Sequence, residues 1–590
     1  MSLEEKTTPA VCQSHLMGAT STGNMLLQQD DDDEFEDASD ELSTSLMDLD
    51  IAFDDCERAI RKFFNNELVE AMEIMKPWAR SSLYHSLGTA IFEFIPAMLT
   101  FDHTQISRAL TAIKACICIC NQHRKYTTFV ESIGSLIRKP NYSTYTDIEA
   151  HAELCYAEAL LLQAAMTIME GEDLTGLIKG TIKVKNCYNS YKERLYDQLW
   201  SNPLQNYFQD CHPVGYSISI LIISLLDIFL QNAFGLAELE ASSKSPGLRS
   251  VLCDLTLLAY HLVICQFIGA EEDVEVCDRI LKEQLKVYRD GVWFLIFKGR
   301  LELMRGSFNQ AIVTYNTAIA SQDIWKQFHH VCYWEIMWAN GLIMDWREAA
   351  FYAQKLINES TWSRTIYSYA KAAMLLQLNI HMSKEEKLEC NQLLVKAGHY
   401  KQRIAGKSLP MEKFVIKRSA RYQAQGGWLL LPGIELICLW NMFHILSANH
   451  MATSDVLKVI KTTEECIDSG PKNWMGRYEA DNRALVRYLH GCCLAHMGLP
   501  NLAIAALDSV FEFKNDLKED TFLLPYSLVE IAMCHHQLGQ SDQALLLLQD
   551  ARKRFSGYSL ESRLQFRIHS KMDIIKGSIK VEASNQVTSL

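Results

Sequence analysis

Proline and glycine are scarce in this sequence, which has 12 prolines and 27 glycines among 590 residues. Proline breaks the hydrogen bonding of a helix interior, so its scarcity leaves room for many long, uninterrupted helices. No strand pattern competes with the helical periodicity along the chain. Because a chain of this length exceeds the usual size of one hydrophobic core, a single globule is not expected.

The 18 cysteines lack the paired spacing of a disulfide framework. Many lie inside apolar helical runs, where cysteine acts as a small hydrophobic residue. The chain starts Met-Ser-Leu-Glu-Glu-Lys, without the apolar run of a secretory leader. Free thiols without such a leader predict a reducing compartment, with the cytoplasm as the expected location and the nucleus as the alternative.

Motifs for catalysis, cofactor binding and metal binding are also missing. Gly406–Ser408 looks like the end of a phosphate loop, but the earlier glycine that such a loop needs would fall at Lys401. Cys116, Cys118 and Cys120 alternate, so on a helix neighbouring members point about 200° apart and cannot all bind one ion. We therefore expect no catalytic, cofactor or metal site and no enzymatic activity.

Charge is distributed unevenly. The net charge is −14, and residues 30–41 contain nine acids and no base. Residues 1–45 have no apolar helical stripe, so we expect an acidic, disordered head that acts as a solvated spacer, with an interaction tail as the alternative. The most basic stretch, Lys401–Arg421, has seven bases but only one aromatic residue, Phe414. We therefore expect no nucleic-acid partner.

One apolar run approaches the length of a membrane-spanning helix. It extends from Val214 to Leu230, carries Asp227 inside it and has no basic cluster at its flanks. A charge inside a bilayer is costly, so a helix buried on all sides within the protein is the favoured interpretation. Membrane or lipid contact through residues 214–230 is the alternative, and it would make the protein peripherally associated with a membrane.

The sequence does contain a recurring pattern of small and large residues at helical spacing. Gly299 lies seven residues before Gly306, and Phe308, Ala311 and Tyr315 follow. Two antiparallel helices approach closely only where a small residue of one faces a large ring of the other. Gly299 and Ala311 are the predicted small partners in this helical hairpin, and Phe308 and Tyr315 are the rings. Gly306 is the predicted left-handed turn residue.

The same spacing returns near the C-terminal end. Gly491, Gly498 and Ala503 repeat it, and a further unit with Gly539 and Ala544 follows, 41 residues after Gly498. This period is longer than the 34 residues of a tetratricopeptide repeat, so the helices or turns must be extended. We predict an all-α fold, an α-α superhelix or solenoid of antiparallel, tetratricopeptide-like helix pairs. A non-repetitive helical bundle is the alternative.

Composition divides the chain into five predicted segments. They are an acidic head at 1–45, an N-terminal helical-repeat region at 46–400, an irregular connection at 401–435, a C-terminal helical-repeat region at 436–575 and a flexible tail at 576–590. The connection is predicted from its turn-forming residues, Pro410, Gly426–Gly427 and Pro432–Gly433.

The inner face of such a solenoid follows from its helical register. In a tetratricopeptide unit this face is formed by positions 2, 5, 9 and 12 of the first helix, and Gly299 takes position 8. The predicted protein-binding residues on this face are Trp293, Ile296, Arg300, Tyr488 and Tyr526. Arg300 is the one base suited to pair a carboxylate among the positions counted. We therefore expect an amphipathic or aromatic-bearing partner segment and no binding of acidic C-terminal tails.

Several runs of the sequence resemble the tetratricopeptide repeat protein 39 family, which includes an inclusion-body-clearance branch. The resemblance covers residues 55–575 and is carried by Ala71–Pro77, Met98–Asp102, Ile178–Gly180, Trp325–Trp338, Lys401–Lys417 and Tyr558–Arg563. It implies an α-helical repeat protein without catalytic residues. It also implies an adaptor role, with lipid homeostasis and ciliary roles belonging to different members.

The sequence thus favours a non-enzymatic scaffold or adaptor that binds protein partners through the inner face of its helix pairs. Lipid homeostasis is the role that the resemblance implies. A membrane- or lipid-associated helical protein that uses residues 214–230 is the alternative, and fractionation in salt and then in carbonate separates the two. An enzyme with its site in a closed helical cavity ranks third.

Overall fold

The computed structural model describes residues 47–100, 102–124, 145–170 and 232–588, except for short gaps at 245–246, 248–249, 269, 271, 401–402, 405–406 and 472–473. Contacts along the chain separate Met1–Ser45 from a single unit, Leu46–Leu590. The predictions for the head at 1–45 and for the apolar run at 214–230 lie outside the described residues.

Removal of the head is expected to leave the folded unit intact. A fragment of residues 46–590 should have the thermal midpoint of the full chain, because Phe35 is the only large apolar residue between Gln28 and Glu41. Limited proteolysis of the full chain should cleave before Ser45 and leave a resistant remainder. A midpoint several degrees lower for the fragment would contradict this expectation.

Helices make up nearly all of the described secondary structure, which confirms the predicted all-α class. The first eight are α1 (Leu49–Phe64), α2 (Leu68–Met75), α3 (Leu83–Thr100), α4 (His103–His123), α5 (Asp147–Glu170), α6 (Asn232–Ser243), α7 (Ser250–Ala259) and α8 (Val274–Val287). A π-helical turn, Tyr260–Ile264, and a short helix, Cys265–Ile268, extend α7.

The middle of the chain continues in the same way. Its helices are α9 (Val292–Met304), α10 (Phe308–Ser321), α11 (Lys326–Leu342), α12 (Trp346–Glu359), α13 (Arg364–Gln377) and α14 (Lys384–Ala397). A small hairpin follows, in which β1 (Arg403–Ile404) pairs antiparallel with β2 (Lys407–Ser408).

The C-terminal part contains nine more helices. They are α15 (Pro410–Ala424), α16 (Pro432–Leu439), α17 (Met442–Ser447), α18 (His450–Ser469), α19 (Glu479–His496), α20 (Pro500–Asp508), α21 (Leu523–Gln537), α22 (Ser541–Arg554) and α23 (Glu561–Thr588). Short 3-10 turns lie at Lys76–Trp78, Asn379–His381, Gly398–Tyr400, Gly476–Tyr478 and Ser509–Phe513.

Short turns join successive helices into packed pairs, such as α9 with α10 and α21 with α22. Gly306 ends α9 with φ of 74°, and its N–H donates to the carbonyl of Leu303 at 2.9 Å. Glycine suits this place because the left-handed backbone crowds the Cβ of other residues. Gly498 and Gly539 end α19 and α21 with φ of 73° and 77°, and Met344 takes the corresponding place after α11 with φ of 60°.

The small and large residues of the α9–α10 pair lie where two helices touch. A Cβ atom built on Gly299 would lie 2.8 Å from the ring of Tyr315, and Ala311 is fully buried. Gly299→Leu or Ala311→Trp should therefore lower the free energy of unfolding by roughly 1–3 kcal/mol or more, measured by urea unfolding. Val313→Trp, on the exposed side of α10, is the control and should stay within about 0.5 kcal/mol. Parent-like unfolding of both core variants would show that the register is wrong.

The C-terminal pairs pack in a similar way. A Cβ atom built on Gly491 would lie 2.5 Å from Cγ of Leu507, so α19 and α20 are in close contact at this glycine. Ala503 and Ala544 are fully buried on the second helices of their pairs, and Phe308 is buried at the start of α10.

Two hydrophobic cores meet at α9. One core extends from Ala52 to Leu301, and the other extends from Val292 to Ile575. Trp293 packs against both. The boundary between the cores therefore lies inside the region 46–400, which the sequence predicted as one set of repeats.

Helices occupy much of two segments that the sequence predicted as an irregular connection and a flexible tail. Within 401–435, Pro410 and Pro432 stand at the first positions of α15 and α16. Proline fits there because the N–H that it lacks has no partner inside the helix. The prediction took these prolines as loop signals, whereas they mark helix starts. In the predicted tail at 576–590, α23 continues to Thr588.

The chain fills part of its own inner face with α16 and α17, which we call the inner segment, residues 432–447. α16 packs on α11 and α13, and both short helices pack on α19. Trp440 lies 5.4 Å from the rings of both Trp334 and Trp338. The N–H of Gly433 donates to the side-chain oxygen of Gln377 at 3.0 Å. The inner face of these pairs is therefore covered by the chain itself.

A buried ion-pair network holds the inner segment to α15 and to the loop before α21. Arg418 pairs with Glu435 at 2.5 Å and with Asp520 at 2.6 Å. Arg421 pairs with the other oxygen of Asp520 at 2.5 Å and donates to Asn482 at 2.6 Å. Both arginines belong to the basic stretch of the sequence, so their charges are neutralised inside the protein rather than displayed on its surface.

Candidate partner-binding site

Three of the predicted protein-binding residues lie on α9 and contact the chain itself. Trp293 and Ile296 are half-buried, and the Trp293 ring lies 4.9 Å from that of Phe328. Arg300 is buried; it pairs with Glu335 at 2.7 Å, and its Nε donates to the carbonyl of Leu262 at 3.0 Å. Partner binding by these residues stays a prediction.

The other two predicted residues come together elsewhere. The rings of Tyr488 and Tyr526 lie 6.5 Å apart, on α19 and α21. Both are buried and line a cavity of about 40 Å³, which we call the C-terminal cavity. The residues that line it are Cys438, Leu439, Asn441, Phe443, Tyr488, Cys492, His496, Tyr526, Glu530, Arg563, Leu564 and Arg567.

Helical spacing explains how three successive first helices contribute to this cavity. Tyr488, Cys492 and His496 are four residues apart on α19 and therefore share one face. Tyr526 and Glu530 do the same on α21, and Arg563 and Arg567 do so on α23. The inner segment supplies the opposite wall.

The two arginines differ in their partners. Arg567 pairs with Glu530 at 2.6 Å, while its Nε is buried without a hydrogen-bond partner. Arg563 has no ion pair with any described carboxylate. Its Nη1 lies 2.9 Å from the sulfur of Met411, which is a weak acceptor, and its guanidinium lies 5.9 Å from the ring centre of Trp440.

Burial shifts the pKa values of several groups around the cavity. It lowers the pKa of Arg563, and it lowers the pKa of His496 to about 4, so that His496 is neutral at pH 7. Burial raises the pKa of Tyr526 to about 12, so its hydroxyl stays protonated and donates to the carbonyl of Leu560 at 3.3 Å. Burial alone would also raise the pKa of Glu530, but Arg567 and His496 outweigh it and the net pKa lies below its usual value. The cavity thus carries two cations and one anion.

Sequence analysis missed Arg563, Arg567 and Glu530. The inner positions of α23 were not counted, because the glycine pattern that marked the first helix of a pair was not recognised there. On α21 the counted inner positions include Tyr526 but not Glu530. The signal that could have found the two arginines is their four-residue spacing, which begins at Arg563, the last residue of the run Tyr558–Arg563.

The structure also bears on the dismissed metal motif, whereas the membrane alternative through residues 214–230 lies outside the described residues. Across the described part of the chain, no cluster of histidine, cysteine and acidic side chains is arranged to hold a metal ion. Cys116 and Cys120 are buried in the core of the first helices, and Cys118 is exposed. None of the helices in the described ranges combines the length and hydropathy needed to cross a membrane.

Comparison with known proteins matches this chain to one family over most of its length. The model of the Iml2/Tetratricopeptide repeat protein 39 family matches residues 57–208 and 222–497. Tetratricopeptide repeat protein ttc-39B of Caenorhabditis elegans is 32% identical over 537 residues, which cover 86% of this chain and 90% of that protein.

Solved structures found by comparison share little sequence with this chain and have low TM-scores. The human IFIT1 dimer with PPP-AAAA is 13% identical, covers 79% of this chain and 95% of its own, and has a TM-score of 0.31. A tetratricopeptide repeat protein from Parabacteroides merdae is 10% identical, covers 54% of this chain and 99% of its own, and has a TM-score of 0.21. The family match and the identity to the nematode protein, both over most of the chain, confirm the resemblance found in the sequence: this chain belongs to the Iml2/Tetratricopeptide repeat protein 39 family.

Proposed function

We propose that this protein is a non-enzymatic, cytoplasmic adaptor that holds a segment of a partner protein at the C-terminal cavity. Membership in a tetratricopeptide-like repeat family supports a protein-interaction scaffold. The observation that carries the proposal is the meeting of Tyr488 and Tyr526 at a cavity walled by the first helices α19, α21 and α23. Lipid homeostasis is the cellular context that the family resemblance suggests.

The composition of the cavity supports a protein segment as the ligand. Rigid tyrosine rings beside arginine are the side chains that most often dominate the binding energy of protein interfaces. The wall formed by the inner segment is fixed by Trp440 and by the Arg418 network, so little ordering cost is expected on binding. A volume of about 40 Å³ admits the end of one side chain of a partner segment, while the rest of the segment lies outside the cavity.

Proximity labelling with the full chain tests this proposal. The variant is His496→Trp, which adds volume to a half-buried residue that lines the cavity. The control is Phe351→Ala, at a ring that is exposed on α12. Thermal midpoints of all three proteins show whether they are equally folded; if His496→Trp is less stable, Arg563→Met takes its place, because it removes a charge without adding volume.

The expected result is a set of proteins that the parent and Phe351→Ala both label and that the cavity variant loses. These proteins would then be tested for direct binding with purified components. Identical labelling by all three proteins, with equal thermal midpoints, would overturn the proposal.

A further inference from the structure

The charges that line the C-terminal cavity do not balance. Arg563 and Arg567 contribute two guanidinium groups, and Glu530 is the one described carboxylate of the lining. Glu530 is engaged by Nη1 of Arg567, so Arg563 has no anion of its own. Arg563 is half-buried, and its partial removal from water without an anion has a cost that a bound anion would offset.

The unpaired donors are placed so that one ligand could reach both. Arg563 and Arg567 are one helical turn apart on α23 and line the same cavity. The Nε of Arg567 is buried and without a partner, and the guanidinium of Arg563 has only a sulfur acceptor. A planar guanidinium presents its N–H groups in a fork that matches a carboxylate or a phosphate.

The size of the cavity decides between these two groups. Its volume of about 40 Å³ is room for about three water molecules, at roughly 10–15 Å³ for each. A carboxylate group has three heavy atoms, whereas a phosphate has five. Because the neutral His496 and the two tyrosines add no charge, one negative charge balances the lining.

We propose that the C-terminal cavity binds a single carboxylate group, which an acidic side chain of the partner segment supplies. This assignment rests on the proposed function and names the chemistry of that partner. This proposal differs from the expectation from the sequence that acidic C-terminal tails do not bind. That expectation was based on Arg300 as the one suitable base among the inner positions that were counted. Arg300 is already paired with Glu335, while Arg563 is not paired.

Saturation-transfer NMR on the full chain tests the carboxylate assignment directly. The probes are acetate, which represents a free small acid, and N-acetylglutamate amide, which represents an acidic side chain. N-acetylglutamine amide is the neutral match, and inorganic phosphate is the competing anion. The variants are Arg563→Met and Arg563→Lys, and the control is Arg554→Met, at an exposed arginine on α22.

The expected result is binding of acetate and of the glutamate probe, with no signal from the glutamine probe. Arg563→Met should weaken binding of both acids at least about tenfold, because a charge-assisted hydrogen bond is lost. Arg563→Lys, which keeps the charge without the fork, should fall between Arg563→Met and the parent, and Arg554→Met should bind as the parent does.

Absence of acetate and glutamate signals in the parent, equal signals in Arg563→Met, or tighter binding of phosphate than of acetate would each contradict a carboxylate site. If acetate binds through Arg563 but the glutamate probe does not, the ligand is a free acid and the partner side chain is ruled out. Labelled partners that depend on the cavity, together with no acetate binding, would leave the proposed function standing and remove the carboxylate assignment.

Discussion

Replacement of Asp520 by alanine is expected to lower the free energy of unfolding by about 3–5 kcal/mol, because it leaves two buried guanidinium groups without a shared anion. Asp520 is buried, and its two oxygens pair with Arg418 at 2.6 Å and Arg421 at 2.5 Å. After the change, Arg418 keeps Glu435, but Arg421 keeps only amide acceptors, Asn482 and Gln425. Urea unfolding followed by circular dichroism measures the loss.

Asp516→Ala is the matched control, since Asp516 is exposed in the same loop. It should change the free energy of unfolding by no more than about 0.5 kcal/mol. An effect of Asp520→Ala as small as that of the control would show that the network does not hold the inner segment in place.

The effect of Asp520→Ala should depend on pH. Burial alone would raise the pKa of Asp520, but Arg418 and Arg421 outweigh it and hold the pKa below its ordinary value. A carboxylate of this kind contributes its full stability above the unfolded pKa of about 3.9 and loses it as the pH falls through the folded pKa. The difference between parent and variant should therefore shrink below about pH 3.9.

Trp338→Ala is expected to be about equally damaging, with a loss of about 3–5 kcal/mol. Trp338 is one of the largest fully buried side chains, and its ring lies 5.3 Å from that of Trp334 and 5.4 Å from that of Trp440. The cavity left by the indole would lie between α11 and the inner segment, so both should loosen. Hydrogen exchange should show faster exchange of the amides of 432–447 in this variant.

Trp474→Ala provides the control for the loss of an indole. Trp474 is half exposed and stacks on Trp428, with ring centres 6.3 Å apart. Its loss should cost about 1 kcal/mol or less and leave exchange in 432–447 unchanged. Equal costs for the two tryptophans would contradict the packing of the inner segment on α11.

The parts of the fold that the sequence predicted are those set by neighbours along the chain. Gly299 and Tyr315 belong to adjacent helices of one pair, and Gly306 forms the turn between them, so spacing alone was enough to find the hairpin. The prediction was wrong about Pro410 and Pro432 because proline is common both in the loops that follow a helix and at the first position of a helix.

The parts that the sequence could not give depend on distant contacts. Arg418 meets Asp520, 102 residues later, so the sequence showed Lys401–Arg421 as its most basic stretch without showing where the charges are neutralised. The helical register placed Tyr488 and Tyr526 on the inner faces of the first helices of successive pairs. It did not show that the chain covers its own inner face near Trp334. The sequence did not show that Arg563 and Arg567 line a cavity, because this depends on the packing of α23 beside α21 and the inner segment.

The central claim is that a partner protein binds at the C-terminal cavity, and site-specific photo-crosslinking tests it most directly. The photoreactive residue p-azidophenylalanine replaces Phe443, which lines the cavity, or Phe351, which is exposed on α12, because it adds little volume to a phenylalanine ring. The expected result is a discrete crosslinked partner from position 443, which is absent from position 351 and is lost when excess N-acetylglutamate amide is added. No crosslinked partner from position 443, or the same partner from both positions, would contradict the claim.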